Sequence, residues 1–183
     1  MVGGTAMLEC NDVVFHICEQ GIDKRKLGRW SFITLNGKNQ VKTTFVTVYC
    51  PVISNSPGSC YSQQLLYMAE HMDDVPPGLK CPRQLFGCDL QVFLREKSDL
   101  GHHLVVCGDF NSEYEKLSEW MLHQGLVDTL ATKHGKCPIT YQIFACDPLD
   151  CIFSDPIIQM REGGYLPFSR LISDHRVVFN LWI

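Results

Sequence analysis

The chain has 183 residues, of which 45% are hydrophobic, 20% charged and 10% aromatic. This composition excludes a disordered segment, and the length suits one domain with a substantial core. A net charge of −4 at pH 7 excludes bulk attraction to nucleic acid or an anionic membrane, so a phosphate-bearing substrate needs a local site or bound metal.

Residues 1–9 lack the cationic start and apolar run of a signal peptide, and no apolar run is long enough to span a membrane. These features imply an intracellular protein, without distinguishing cytoplasm from nucleus. Strands are expected at Thr5–Leu8, Val13–Ile17, Trp30–Leu35 and Lys42–Tyr49, where β-branched and aromatic residues concentrate. The last alternates Val41, Thr43, Phe45, Thr47 and Tyr49 on one side with Lys42, Thr44, Val46 and Val48 on the other. Gly21 with Asp23 signals a turn, and Asn36-Gly37 signals a tight hairpin. Lys24, Arg25, Lys26 and Arg29 form a small basic cluster that reads as a solvated turn.

After the Ser/Pro/Gly loop at Ser54–Gly58, helices are expected at Cys60–Met72 and Pro82–Ser98, separated by Pro76-Pro77-Gly78. A buried strand at His103–Cys107 leads into Gly108-Asp109-Phe110-Asn111. Ser112 with Glu115 reads as a capping box for a helix that stops at Gly125. Further strands are expected at Ile139–Phe144, Leu149–Ser154 and Arg176–Ile183. Strands and helices intermixed in this way predict a layered α/β domain over residues 1–183. The ten cysteines include no C-x-x-C pair, which argues for reduced thiols packed as small apolar residues, not a disulfide framework or a zinc site.

The residues suited to chemistry stand where apolar strands end. Asp109 and Asn111 follow one strand, Asp150 begins another, and Asp174-His175 precedes the last. Phosphodiester cleavage needs a group to activate water, donors or cations for the developing charge, and help for the leaving oxygen. Two carboxylates, an amide and a carboxylate-supported imidazole meet that list. Each also has a plainer reading, as a turn residue, a strand-edge residue or a loop ion pair. The remaining six histidines form no convincing ligand pair.

Three ordered segments carry a family resemblance: Val105–Asn111, Leu149–Ser154 and Ser173-Asp174-His175-Arg176. They are similar to the G-D-F-N, (I/L)-D-x-I-F-x-S and S-D-H-R motifs of the DNase I-like endonuclease/exonuclease/phosphatase family. Gly28-Arg29-Trp30-Ser31, Thr47–Pro51 and Gly58–Gln64 resemble a retroelement-associated variant, which has Tyr-Arg-Pro where this chain has Tyr49-Cys50-Pro51. The resemblance implies a DNase I-like layered α/β sandwich with mixed, largely antiparallel sheets and flanking helices. It implies a Mg2+- or Mn2+-dependent phosphodiesterase acting on nucleic acid, DNA rather than RNA. Asp109 would activate water, Asn111 would hold a phosphate oxygen, and His175 would stabilise phosphoryl charge or protonate the leaving group. Asp150 would fix the His175 tautomer, Tyr49 would direct its hydroxyl to the phosphate, and Asp174 would approach the metal.

The family's early strands supply an Asn and then the metal-binding Glu. This chain opens at Gly3-Gly4-Thr5-Ala6, which resembles the strand after that Glu, and Glu9 and Glu19 fall too late to match it. The expectation is therefore a domain lacking its first strands, with an unpaired sheet edge and weak or absent activity on its own. The alternative is an inactive remnant or a binding module of the same fold.

Overall fold

The computed structural model describes residues 4–135, 137–142, 147–170 and 173–182. Its strands are β1 (Ile17–Ile22), β2 (Trp30–Asn36), β3 (Lys42–Tyr49), β4 (His103–Asp109), β5 (Val127–Asp128), β6 (Asp150–Ser154), β7 (Met160–Tyr165) and β8 (Val178–Trp182). The helices are α1 (Cys60–Glu70), α2 (Pro82–Asp99), α3 (Tyr114–His123) and α4 (Thr129–His134). Six strands make one sheet in the order β1-β2-β3-β4-β6-β5, and β7 with β8 makes a second. Every pairing is antiparallel except β3 with β4. This is the mixed, layered architecture expected from the sequence.

The alternation along β3 decides which face of the large sheet is covered. Thr44, Val46 and Val48 are buried, while Thr43, Phe45, Thr47 and Tyr49 are half-buried. The Val46/Val48 side belongs to a core with Leu104 and Val106 of β4 and with Phe86, Leu90, Phe93 and Leu94 of α2. Phe93 meets Trp30 and Phe32 at centroid distances of 5.9 and 4.9 Å. Each such side chain contributes about 1.5–3 kcal/mol by burial, so α2 is fixed to the sheet by packing. The second sheet is tied in by a hydrogen bond, with Asn180 Nδ2 of β8 donating to Thr129 Oγ1 of α4 at 2.8 Å.

Several expectations are corrected. Thr5–Leu8 is not a strand, and Asn11–His16 is a 3-10 turn with β1 starting only at Ile17. Gly21 lies inside β1, opposite Phe32, because that ring occupies the space a Cβ would need (2.8 Å). The β1–β2 turn instead follows Asp23, whose carboxylate accepts from the amides of Arg25, Leu27 and Arg29. Arg29 is therefore fully buried and no part of a solvated turn. The β2–β3 hairpin closes through Gly37 N donating to Val41 O (2.7 Å), a wider loop than Asn36-Gly37 suggests. Ser112 does not cap α3, because its hydroxyl donates to Phe110 O, and Glu113 stands at the N-cap without a side-chain bond.

No strand runs through 139–142, where only Tyr141 bridges to His175, and Ile143 and Phe144 lie outside the described residues. The last strand runs over Val178–Trp182, without the expected Arg176 and Val177, and Ile183 lies outside the described residues. The elements β5, α4 and β7 carry too little apolar periodicity to be read from sequence. Among the described residues every cysteine is free, and no helix is long and apolar enough to cross a membrane.

Candidate active site

Strand register assembles the site. In the parallel β3–β4 pair Tyr49 stands opposite Asp109, and in the antiparallel β4–β6 pair Asp109 stands opposite Asp150. Residues paired across strands share a face, so the ends of three neighbouring strands bring Tyr49, Asp109 and Asp150 side by side. Gly108 makes this possible. Its φ is 143°, and a Cβ there would fall 2.0 Å from Val48 O; only glycine lets β4 approach β3 so closely.

The chain then turns sharply. Asn111 adopts φ 46° and its amide donates to Asp109 Oδ1 at 3.1 Å. Asn111 Nδ2 donates to Cys50 O at 2.9 Å, joining this loop to the end of β3. Cys50 N donates to Asp109 O (2.9 Å) and Phe110 N to Leu149 O (2.9 Å), so the loop is held from both sides. Arg83, in the first turn of α2, adds a clamp. Its guanidinium donates to Pro51 O (3.2 Å), Asn111 O (2.6 Å) and Ser112 Oγ (2.8 Å).

His175 comes from the segment before β8. Its Nδ1 lies 2.8 Å from Asp150 Oδ2, so Nδ1–H donates to the carboxylate and Nε2 faces away. The ring packs 4.8 Å from that of Tyr141. Thr140 anchors this region. Its hydroxyl is fully buried and accepts from Leu149 N (2.8 Å) and Asp150 N (2.9 Å), while its carbonyl accepts from Arg176 N (2.7 Å). Asp174 is exposed beside His175, with Ser173 Oγ donating to it at 3.5 Å. Five of the six residues singled out by sequence thus lie at adjoining strand ends and loops, with Asp174 at the margin.

The electrostatics follow from this packing. Burial, reinforced by the neighbouring Asp150, pushes the Asp109 carboxyl up to about 6, although His175 and the Asn111 bonds pull the other way. Burial alone would lower His175, but the hydrogen bond and charge of Asp150, followed by Asp109 and Asp174, raise it above its ordinary value. Burial and then the neighbouring Cys60 and Asp109 raise Tyr49, keeping its phenol protonated. A carboxyl titrating near neutrality beside a readily charged imidazole is suited to proton transfer. Among the described residues, no three His, Cys, Asp or Glu side chains converge as a metal-holding group.

Arg83 and Thr140 are the two site-forming residues that sequence reading missed. Thr140 sits in the stretch expected as a strand, Ile139–Phe144, but nothing local shows which amides its hydroxyl will meet. For Arg83 the only signal is its place just after Pro82, in the first turn of a helix expected from that proline.

No protein-family model matches the chain, and comparison with curated proteins gives no match. Solved structures do match. The Neisseria 3′ phosphatase NExo, bound to product DNA hairpin, superposes with a TM-score of 0.60 at 17% identity, covering 91% of this chain and 71% of its own. The human Nocturnin catalytic domain with bound sulfate gives 0.56 at 16% identity, covering 91% and 60%. An endonuclease/exonuclease/phosphatase family protein from Leptotrichia buccalis gives 0.53 at 19% identity, covering 84% and 53%.

The fold is DNase I-like.

With identities of 16–19%, the likeness establishes architecture, and function has to be argued from the site that the architecture carries. The chain spans between about half and three quarters of these DNase I-like neighbours.

Proposed function

We propose that this chain is a phosphodiesterase-type domain that hydrolyses nucleic acid, DNA in preference to RNA, and that it is of retroelement origin. The observation that carries the reading is the convergence of Asp109 with the Asp150–His175 pair (2.8 Å) on adjoining strand ends. The DNA hairpin bound to the Neisseria neighbour supports nucleic acid as the substrate class.

In this reading Asp109 accepts the proton of the attacking water, for which a value near 6 is well placed. Asn111 keeps one amide N–H beyond its bond to Cys50 O, and that donor holds a phosphate oxygen. His175, oriented and charged by Asp150, stabilises the phosphorane or protonates the leaving oxygen. Tyr49 donates its hydroxyl to the phosphate. A divalent ion such as Mg2+ or Mn2+, which the resemblance implies, would supply positive charge to the phosphate, and Asp174 is the carboxylate assigned to it. The described side chains form no three-ligand group, so no step is routed through metal.

The test is nicking of supercoiled plasmid with Mg2+, comparing the chain with Asp109→Ala and His175→Ala. The chain is expected to nick weakly, at a rate about a hundredfold or more above that of each variant. Equal, background-level nicking by all three would refute an active site. The absence of a three-ligand group among the described residues, with Cys50 where the variant family has a cation, favours a second reading: an inactive remnant or binding module of the same fold.

A further inference from the structure

Beside the catalytic loops, and separate from the Asp150–His175 pair, lies a cavity of about 630 Å3. It opens between the first turns of α2 and α3 and the chain following Cys50, sharing Asn111 with the site described above. Its volume falls within the roughly 300–1,000 Å3 of small-ligand pockets. Phe86, Phe110 and Leu117 make an apolar floor, and half-buried Trp120 supplies an aromatic wall. On the rim, Val52 and Ile53 are 52% and 67% exposed.

The polar groups are asymmetric. Arg83 is half-buried, yet all three of its hydrogen bonds run to neutral acceptors: Pro51 O, Asn111 O and Ser112 Oγ. No carboxylate among the described residues pairs with it. A guanidinium has five N–H donors, so two remain for a ligand. A sheltered charge without a counter-ion is costly, and an anion bound there would relieve that cost. Lys116 adds a second cation. Among the described residues that line the cavity the one carboxylate is Glu113, which is mostly exposed and pairs with Lys116 at 2.8 Å, a contact weak enough to exchange.

An aromatic wall, an apolar floor and a guanidinium lacking a carboxylate partner are what a nucleotide requires, with its base on the ring and its phosphate on the cation. We propose that this cleft is a nucleotide subsite. It seats one nucleotide of the strand adjoining the phosphate at Asp109, with the base against Trp120 and the phosphate on Arg83. Its use in catalysis rests on the phosphodiesterase reading, whereas its capacity to bind does not.

The experiment is titration of the intact chain in EDTA with thymidine 5′-monophosphate, followed by amide and indole NMR shifts, with thymidine and inorganic phosphate titrated separately. Saturable shifts at Trp120 and Arg83 are expected, with affinity about tenfold above that for either fragment. Trp120→Leu and Arg83→Lys, each checked for native near-UV circular dichroism, should each weaken binding about tenfold. If Arg83→Lys fails to fold, Trp120→Leu alone decides. No saturation by the nucleotide, binding unchanged in the folded variants, or thymidine binding as tightly as the nucleotide would each overturn the proposal. Because EDTA removes any need for catalysis, nucleotide binding without plasmid nicking would leave the subsite standing and remove the activity. Nicking without nucleotide binding would do the reverse.

Discussion

Gly108 shows how much of the site depends on one missing side chain. An alanine Cβ would lie 2.0 Å from the Val48 carbonyl, a backbone atom held in the β3–β4 ladder. The strands would have to part at the point where Tyr49, Asp109 and Asp150 meet. Gly108→Ala is therefore expected to destabilise the chain by more than about 4 kcal/mol, read from the urea midpoint. A loss below about 1 kcal/mol would show that the ladder can spread. Cys50 illustrates the opposite case. The sequence marks it as the place of a lost cation, but its thiol is buried, with burial pushing it up to about 12. The cation that reaches this loop comes from α2, where Arg83 bonds to the carbonyl of the next residue, Pro51.

Among elements, the β1–β2 turn is held to α2 by charges that look like surface residues in the sequence. Arg29 Nη2 lies 3.1 Å from Asp23 Oδ1 and 2.9 Å from Asp89 Oδ2, while Arg25 Nε lies 2.7 Å from Asp89 Oδ2. Asp23 and Arg29 are both fully buried, and the guanidinium also lies 4.8 Å from the Trp30 ring centroid. Removing one partner leaves the other buried without its counter-charge. Arg29→Met should therefore cost about 3–5 kcal/mol, with hydrogen exchange rising first in the amides that Asp23 accepts from. Stability within about 1 kcal/mol of the parent would mean that Asp23 is satisfied by those amides alone. The cluster that reads as a solvated turn is thus split, with Lys24 outside on Glu96 (2.9 Å) and Arg29 inside.

For the molecule as a whole, the site lowers stability as pH rises. The folded state holds the Asp109 carboxyl at about 6 against an ordinary 3.8, so the protonated form is favoured on folding. Stability is lost between about pH 4 and 6, by roughly 3 kcal/mol, and the loss is constant above that range. His175 has the opposite charge type. Its raised value gives stability that is full below about 6.5 and is lost as pH rises through the native value. Asp109→Asn should therefore gain on the parent across about pH 4 to 6 and hold that gain at neutrality, as measured by paired urea titrations. A constant difference at every pH would contradict a shifted carboxyl.

Local pattern determined much of this protein. Period-2 alternation marked β3, apolar spacing and Pro82 marked α2, and the residue types at strand ends marked Asp109, Asn111, Asp150 and His175. These features are legible because they depend on neighbours a few residues apart. Only the tertiary structure decided that Gly21 lies under Phe32, that Arg29 is interior, that Thr140 anchors the start of β6, and that Arg83 closes over Asn111. Each depends on strand register or on a contact between distant segments. Burial then sets the cost of every unpaired charge, and so decides which distant partner each one needs.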